Sequence, residues 1–153
     1  MSRGPRHAPG GLVYYALNRA VARLPLFETN ADFEAFMRVM ALAMDKYPVP
    51  ILAFVVLPNH RHFVLWSAND HPLTDFCRWL THTHCMRWHV HYHTSGTGPV
   101  YQGRFKACSV ETDEHLYAVC RNVERHPLRA NLNHRARFCD TAPPGSTRRL
   151  ASI

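Results

Sequence analysis

The sequence has no C-x-x-C pair, no apolar run approaching membrane-spanning length and no internal repeat. Its five cysteines, Cys77, Cys85, Cys108, Cys120 and Cys139, are odd in number and lack ligand spacing. That argues against both a disulfide framework and a thiolate zinc site. The basic residues 1–6 are not followed by an apolar signal core. With no spanning run either, the expectation is a cytosolic protein without a membrane partner. Acids are also scarce: 11 Asp and Glu stand against 18 Lys and Arg, giving a net charge of +7. Twelve histidines only add to that charge as pH falls. A small basic protein attracts polyanions, nucleic acid first among them, and a basic surface with no specific ligand is the plainer alternative. Hydrophobic content of 46% and charged content of 19% are ordinary for a globular chain, and 153 residues suffice for one domain with a real core.

What is present begins with an apolar segment, residues 12–17, suited to a first strand. Asn30, Ala31 and Asp32 offer a helix start, after which Phe33, Phe36, Met37, Met40 and Met44 form one apolar stripe up to Lys46. A Met-rich stripe of this kind reads as core. Pro48 and Pro50 stop that helix. A second helix is expected from Leu73 to about His91, with Leu73, Phe76, Cys77 and Leu80 inward and a basic, aromatic second half facing solvent or nucleic acid. Residues 94–99 read as a loop. Residues 100–106 mix aromatics, cations and a glycine, so Tyr101, Arg104 and Lys106 can stack bases and neutralise phosphates, or else form an edge strand with exposed charge. A third helix starts near Asp113, with Leu116, Val119, Cys120 and Val123 inward. Asn122 and His126 share a less buried face beside Arg125 and Arg129, and Pro127 is expected to limit the helix. The order implies an α+β fold: an antiparallel sheet with helices packed mainly on one face.

The feature with most chemistry is His60-Arg61-His62. It lies between two apolar, β-branched runs, residues 54–57 and 63–66, that flank the turn signal Pro58-Asn59 and so read as a strand hairpin. Residues two apart on a strand point to one face, so both imidazoles can hold a single divalent ion. The plain alternative is a pair of ordinary polar residues on the wet face of a half-buried sheet.

Four pieces in order resemble the REP-associated tyrosine transposases, a branch of the single-tyrosine HUH transposases. They are residues 14–19 (YYALNR), 57–66 (LPNHRHFVLW), 101–106 (YQGRFK) and 120–130 (CRNVERHPLRA). The resemblance spans roughly residues 10–132, and a single domain over residues 1–133 is expected. It implies a ferredoxin- or RRM-like HUH fold and cut-and-rejoin chemistry on single-stranded or hairpin DNA by a monomer, with no small-molecule substrate. In that chemistry a helix tyrosine attacks a phosphodiester, and a divalent ion (magnesium or manganese) polarises the scissile phosphate. His60 and His62 correspond to the ion's ligands, and His126 to the polar group that completes the set.

The departures matter as much. Asn122 stands where the family has its nucleophilic tyrosine, and an amide is no useful nucleophile toward phosphate. Tyr117 lies roughly 140° around the helix from Asn122, pointing away from the histidines. His126 replaces an amide, so three histidines could meet one ion, a set suited to zinc, manganese or cobalt rather than magnesium. Arg61 replaces an apolar or aromatic residue and lies on the opposite strand face. Residues 134–153 lack the family's Trp-containing continuation and read as a disordered or degenerate tail. The resulting expectation is a transposase-family protein that binds REP-like hairpins with impaired cleavage. The alternatives are a non-catalytic regulator of DNA or RNA hairpins, a hydrolase using metal-bound water, and a decayed transposase copy.

Overall fold

Three segments rich in aliphatic and aromatic residues and a short fourth one, KACSV, pair into one sheet in the computed structural model, which describes residues 8–70, 72–111 and 113–129. The side chains of Glu124 and of residues 126–129 lie outside that description, as does the whole proposed tail at 134–153. The strands are β1 (Leu12–Arg19), β2 (Ile51–Leu57), β3 (His60–Ser67) and β4 (Lys106–Val110), in the order β2-β3-β1-β4 and antiparallel throughout. The helices are α1 (Asn30–Lys46), α2 (Pro72–Tyr92) and α3 (Asp113–Arg129). This is the α+β arrangement that the sequence pattern implies. Among the described residues no helix is long and apolar enough to cross a membrane.

The strand period of two divides the sheet into two differently covered faces. Tyr14 and Ala16 of β1, Phe54 and Val56 of β2, and Phe63 and Leu65 of β3 point to one face. There they pack on Phe36, Val39 and Met40 of α1 and on Leu73, Phe76 and Leu80 of α2. On the other face Ala53, Val55, Leu57 and Val64 meet Val123 of α3, with Leu116, Val119 and Cys120 packed alongside. Two helices thus cover one face and one helix covers part of the other.

Local signals account for most element ends. The cap of α1 is Thr29, one residue before the expected start: its hydroxyl accepts from the Asp32 amide while Asp32 accepts from the Thr29 amide, a reciprocal capping box. The β2–β3 turn is the two residues Pro58 and Asn59, whose carbonyls accept from Leu26, Phe27 and Ala20 and so pin the hairpin to the chain after β1. Two boundaries differ from expectation. Strand β4 begins only at Lys106; residues 100–102 instead join the end of β1 through an isolated bridge between Ala20 and Tyr101. Gly103, at φ +110°, breaks the ladder between the two. Helix α3 also runs through Pro127 to Arg129, because a proline in the last turn forfeits one amide bond rather than a whole ladder.

Candidate functional site

Strand β3 places His60 and His62 on the face that α3 partly covers, opposite Leu57 and Val55 of β2. Their rings lie edge to face, with centroids 5.0 Å apart. His62 is buried under the helix layer and His60 is half-buried. His60 Nδ1 lies 2.6 Å from Asn59 Oδ1, an oxygen that can only accept, so Nδ1 donates this bond and, in the neutral imidazole, Nε2 carries the lone pair. His62 Nδ1 is engaged by the Tyr15 hydroxyl, and the two rings stack at 5.5 Å with 26° between planes. Burial, then the nearby Cys108 thiol, raises the Tyr15 hydroxyl above its ordinary value, against an opposing effect of Arg19, so it stays protonated.

These two side chains fit the ion that the family resemblance implies. A nitrogen bond of about 2.1 Å puts each ring centre roughly 3.2 Å from a shared ion, and ligand angles of about 90–109° then place the centres some 4.5–5.2 Å apart. The observed 5.0 Å falls within that span. Donation from His60 Nδ1 to Asn59 is the outer arrangement that ligating histidines ordinarily have, and His62 Nδ1 has an oxygen, the Tyr15 hydroxyl, within reach for the same bond. The side chain of His126, the third donor that the resemblance implies, lies outside the described residues. Among the described residues no three His, Cys, Asp or Glu side chains gather at one point.

Register brings basic groups into the same rows. Arg19 at the end of β1 lies directly opposite His60. Leu17 lies opposite both His62 on one side and Lys106 on the other, so His62, Leu17 and Lys106 line one row of this face. Arg19 and Lys106 are exposed, as are Arg104 in the preceding loop and Arg121, Asn122 and Arg125 on α3. Asn122 adjoins the buried Val123, which anchors the helix over the histidine-bearing face. The backbone of Arg129 continues α3, but its side chain, like that of His126, lies outside the described residues. Tyr117 is 49% exposed, away from the helix face that packs on the sheet.

The opposite face holds the clearest correction. Tyr101 is not a base-stacking surface: it is only 4% exposed, and its hydroxyl accepts from Arg61 Nη1 at 3.0 Å and meets His84 Nδ1 at 2.6 Å. Arg61 does point away from the histidines, as its strand position requires, and is 2% exposed. Its guanidinium sits 5.1, 5.8 and 4.7 Å from the ring centres of Phe36, Phe63 and Tyr101 and donates to Thr81 Oγ1 at 2.6 Å. Burial first, and then Arg61, lowers the His84 imidazole to about 3. Burial pushes the Tyr101 hydroxyl up to about 12 despite the opposing arginine. Tyr101 therefore keeps its proton and donates it to a neutral His84 while accepting from Arg61.

Two groups at the site escape sequence reading. Tyr15 and Arg19 join it only because β1 pairs with β3 in this register. The signal available was their odd-numbered alternation with the buried Tyr14, Ala16 and Asn18.

No protein-family model matches the chain, and no curated protein matches it in sequence. Solved structures do match in fold. A REP-associated tyrosine transposase bound to a REP hairpin aligns over 85% of this chain and 74% of its own, with 18% identity and a TM-score of 0.59. A protein described as a candidate transposase from Deinococcus radiodurans R1 aligns over 80% of this chain and 94% of its own, with 16% identity and a TM-score of 0.54. The chain has the fold of the REP-associated tyrosine transposases.

Proposed function

We propose that this protein binds structured single-stranded DNA of the REP-hairpin kind, holds a divalent ion through His60 and His62, and is impaired in strand cleavage because position 122 is an amide. The observation that carries the reading is the histidine pair. Both imidazoles occupy one sheet face at a spacing suited to a shared ion, in rows with Arg19 and Lys106, beneath a helix that exposes Asn122. A phosphodiester held over that face would meet cations from the sheet rows, from Arg104 and from Arg125. His60 and His62 would hold the ion, with His126 as the third ligand that the family resemblance implies; manganese or zinc suits three imidazoles better than magnesium does. When bound, such an ion polarises the scissile phosphate. Asn122 can hydrogen-bond a phosphate oxygen but offers no hydroxyl to attack phosphorus.

The test is a labelled REP-like hairpin incubated with the protein and Mn²⁺. The native chain is expected to shift the hairpin's mobility and to form no adduct that survives denaturation. Asn122→Tyr is expected to restore some adduct, since position 122 is exposed and the larger ring need not enter the Val123 contact. A native adduct mapping to Tyr117 or any other tyrosine would overturn the assignment of position 122. Absence of hairpin binding by the folded chain would overturn the function itself.

A further inference from the structure

An imidazole ligates through Nε2 only when its ring proton sits on Nδ1. For His60 that tautomer follows from Asn59, whose Oδ1 accepts and never donates. For His62 the partner is the Tyr15 hydroxyl, which can do either. Donating to Nδ1, it would put the proton on Nε2 and close that atom to an ion. Accepting from Nδ1–H, it would leave Nε2 with its lone pair. The two ring planes are inclined by only 26°, and the contact itself admits either direction of bond. Tyr15 is half-buried rather than enclosed, so a hydroxyl that accepts from His62 can still point its own hydrogen toward solvent.

We propose that Tyr15 is the positioning residue for His62: its hydroxyl accepts the Nδ1 proton, fixes the ring, and presents the Nε2 lone pair on the side shared with His60. This role rests on the metal-binding reading above for its purpose, but not for its detection. Tyr15 reaches the site diagonally across the β1–β3 pair, where His62 lies opposite Leu17 and Tyr15 opposite Val64. It takes the place usually filled by a carboxylate or carbonyl behind a ligating histidine. A phenol carries no charge, so it orients the ring without adding a buried anion beneath α3.

Nitrogen-15 NMR of the full chain without added metal, near pH 8 where imidazoles are neutral, reads the tautomer directly. His62 is expected to show a protonated Nδ1 and a bare Nε2, and Tyr15→Phe is expected to shift it toward the Nε2–H form. A native His62 protonated on Nε2 would overturn the proposal, and that measurement needs no variant. Calorimetric titration with Mn²⁺ and Zn²⁺ adds the consequence. Tyr15→Phe should weaken binding about 10–100-fold, as loss of such outer partners does, and His60→Ala should weaken it further. Unchanged or tighter binding in a folded Tyr15→Phe chain would overturn the positioning role. No ion binding by the native chain, with His62 still protonated on Nδ1, would instead sink the metal reading and leave Tyr15 as the group that sets the tautomer.

Discussion

At the scale of single residues, the most consequential group is a buried cation with no carboxylate beside it among the described residues. Among the described residues the one ion pair is the exposed Arg78–Asp75. Arg61 is held instead by three ring faces and two hydroxyls, a set that replaces water with aromatic quadrupoles. The same charge stands near His84, which burial already keeps neutral. A pH dependence follows, and its sign is fixed by the depressed imidazole. The folded chain protonates His84 only at about 3, whereas the unfolded chain does so near its ordinary value of 6.5. Stability from this residue is whole above that ordinary value and drains away as pH falls toward the folded one. By about pH 4.5 the loss should reach roughly 2–3 kcal/mol. Urea unfolding of the native chain and His84→Gln between neutral pH and 4.5 checks it: the variant should be weaker at neutral pH yet lose distinctly less on acidification. Parallel losses would place the acid sensitivity in the other histidines and the carboxylates.

At the scale of elements, one carboxylate ties two helices together. Asp32 accepts from the backbone amides of Glu28 and Thr29 and from the Thr29 hydroxyl, closing the cap of α1, and also from Tyr92 at the end of α2 at 2.7 Å. Burial works to raise its pKa, but these hydrogen bonds outweigh that and hold it below the ordinary value, while the Asp32 bond pushes the Tyr92 hydroxyl up to about 12. Asp32→Ala should cost about 1–2 kcal/mol in thermal or urea unfolding, a cap's worth, and Tyr92→Phe less. A silent Asp32→Ala would make the box ornamental. Elements of this kind were legible in the sequence because their determinants are local. The stripe on α1, the Pro58-Asn59 hairpin and the inward face of α3 all follow from spacing within a few residues. Tyr101 was not legible. Its neighbours Gln102, Arg104 and Lys106 suggest a surface segment, and what buries it lies 40 residues away at Arg61 and 17 away at His84. The site divides the same way. His60 and His62 share a face by strand parity alone, while Tyr15 and Arg19 enter through a non-local register that no single strand's pattern specifies.

At the scale of the whole molecule, a net charge of +7 predicts attraction to any polyanion, so a nucleic-acid site has to be separated from general basicity. The fold supplies the separation. Arg19 and Lys106 belong to rows of the histidine-bearing face, Arg125 to the helix over it and Arg104 to the loop before Lys106, whereas Arg38 lies on α1, in the layer across the sheet. If the first set contacts phosphates, each contact releases bound counterions, and the logarithm of affinity falls with the logarithm of salt by about 0.7–0.9 per phosphate neutralised. Arg104→Ala, Lys106→Ala and Arg125→Ala should each weaken hairpin binding across sequences and flatten that slope by up to about one unit. Arg129→Ala should do the same if α3 presents it beside Arg125. Arg38→Ala should leave the slope unchanged. Tyr101→Phe should also leave it unchanged while lowering stability, because it removes a buried hydroxyl rather than a DNA contact. Hairpin titrations at several salt concentrations decide the matter. Equal flattening by Arg38→Ala would mean that DNA is held by diffuse charge, and the histidine-bearing face would lose its standing as the binding surface.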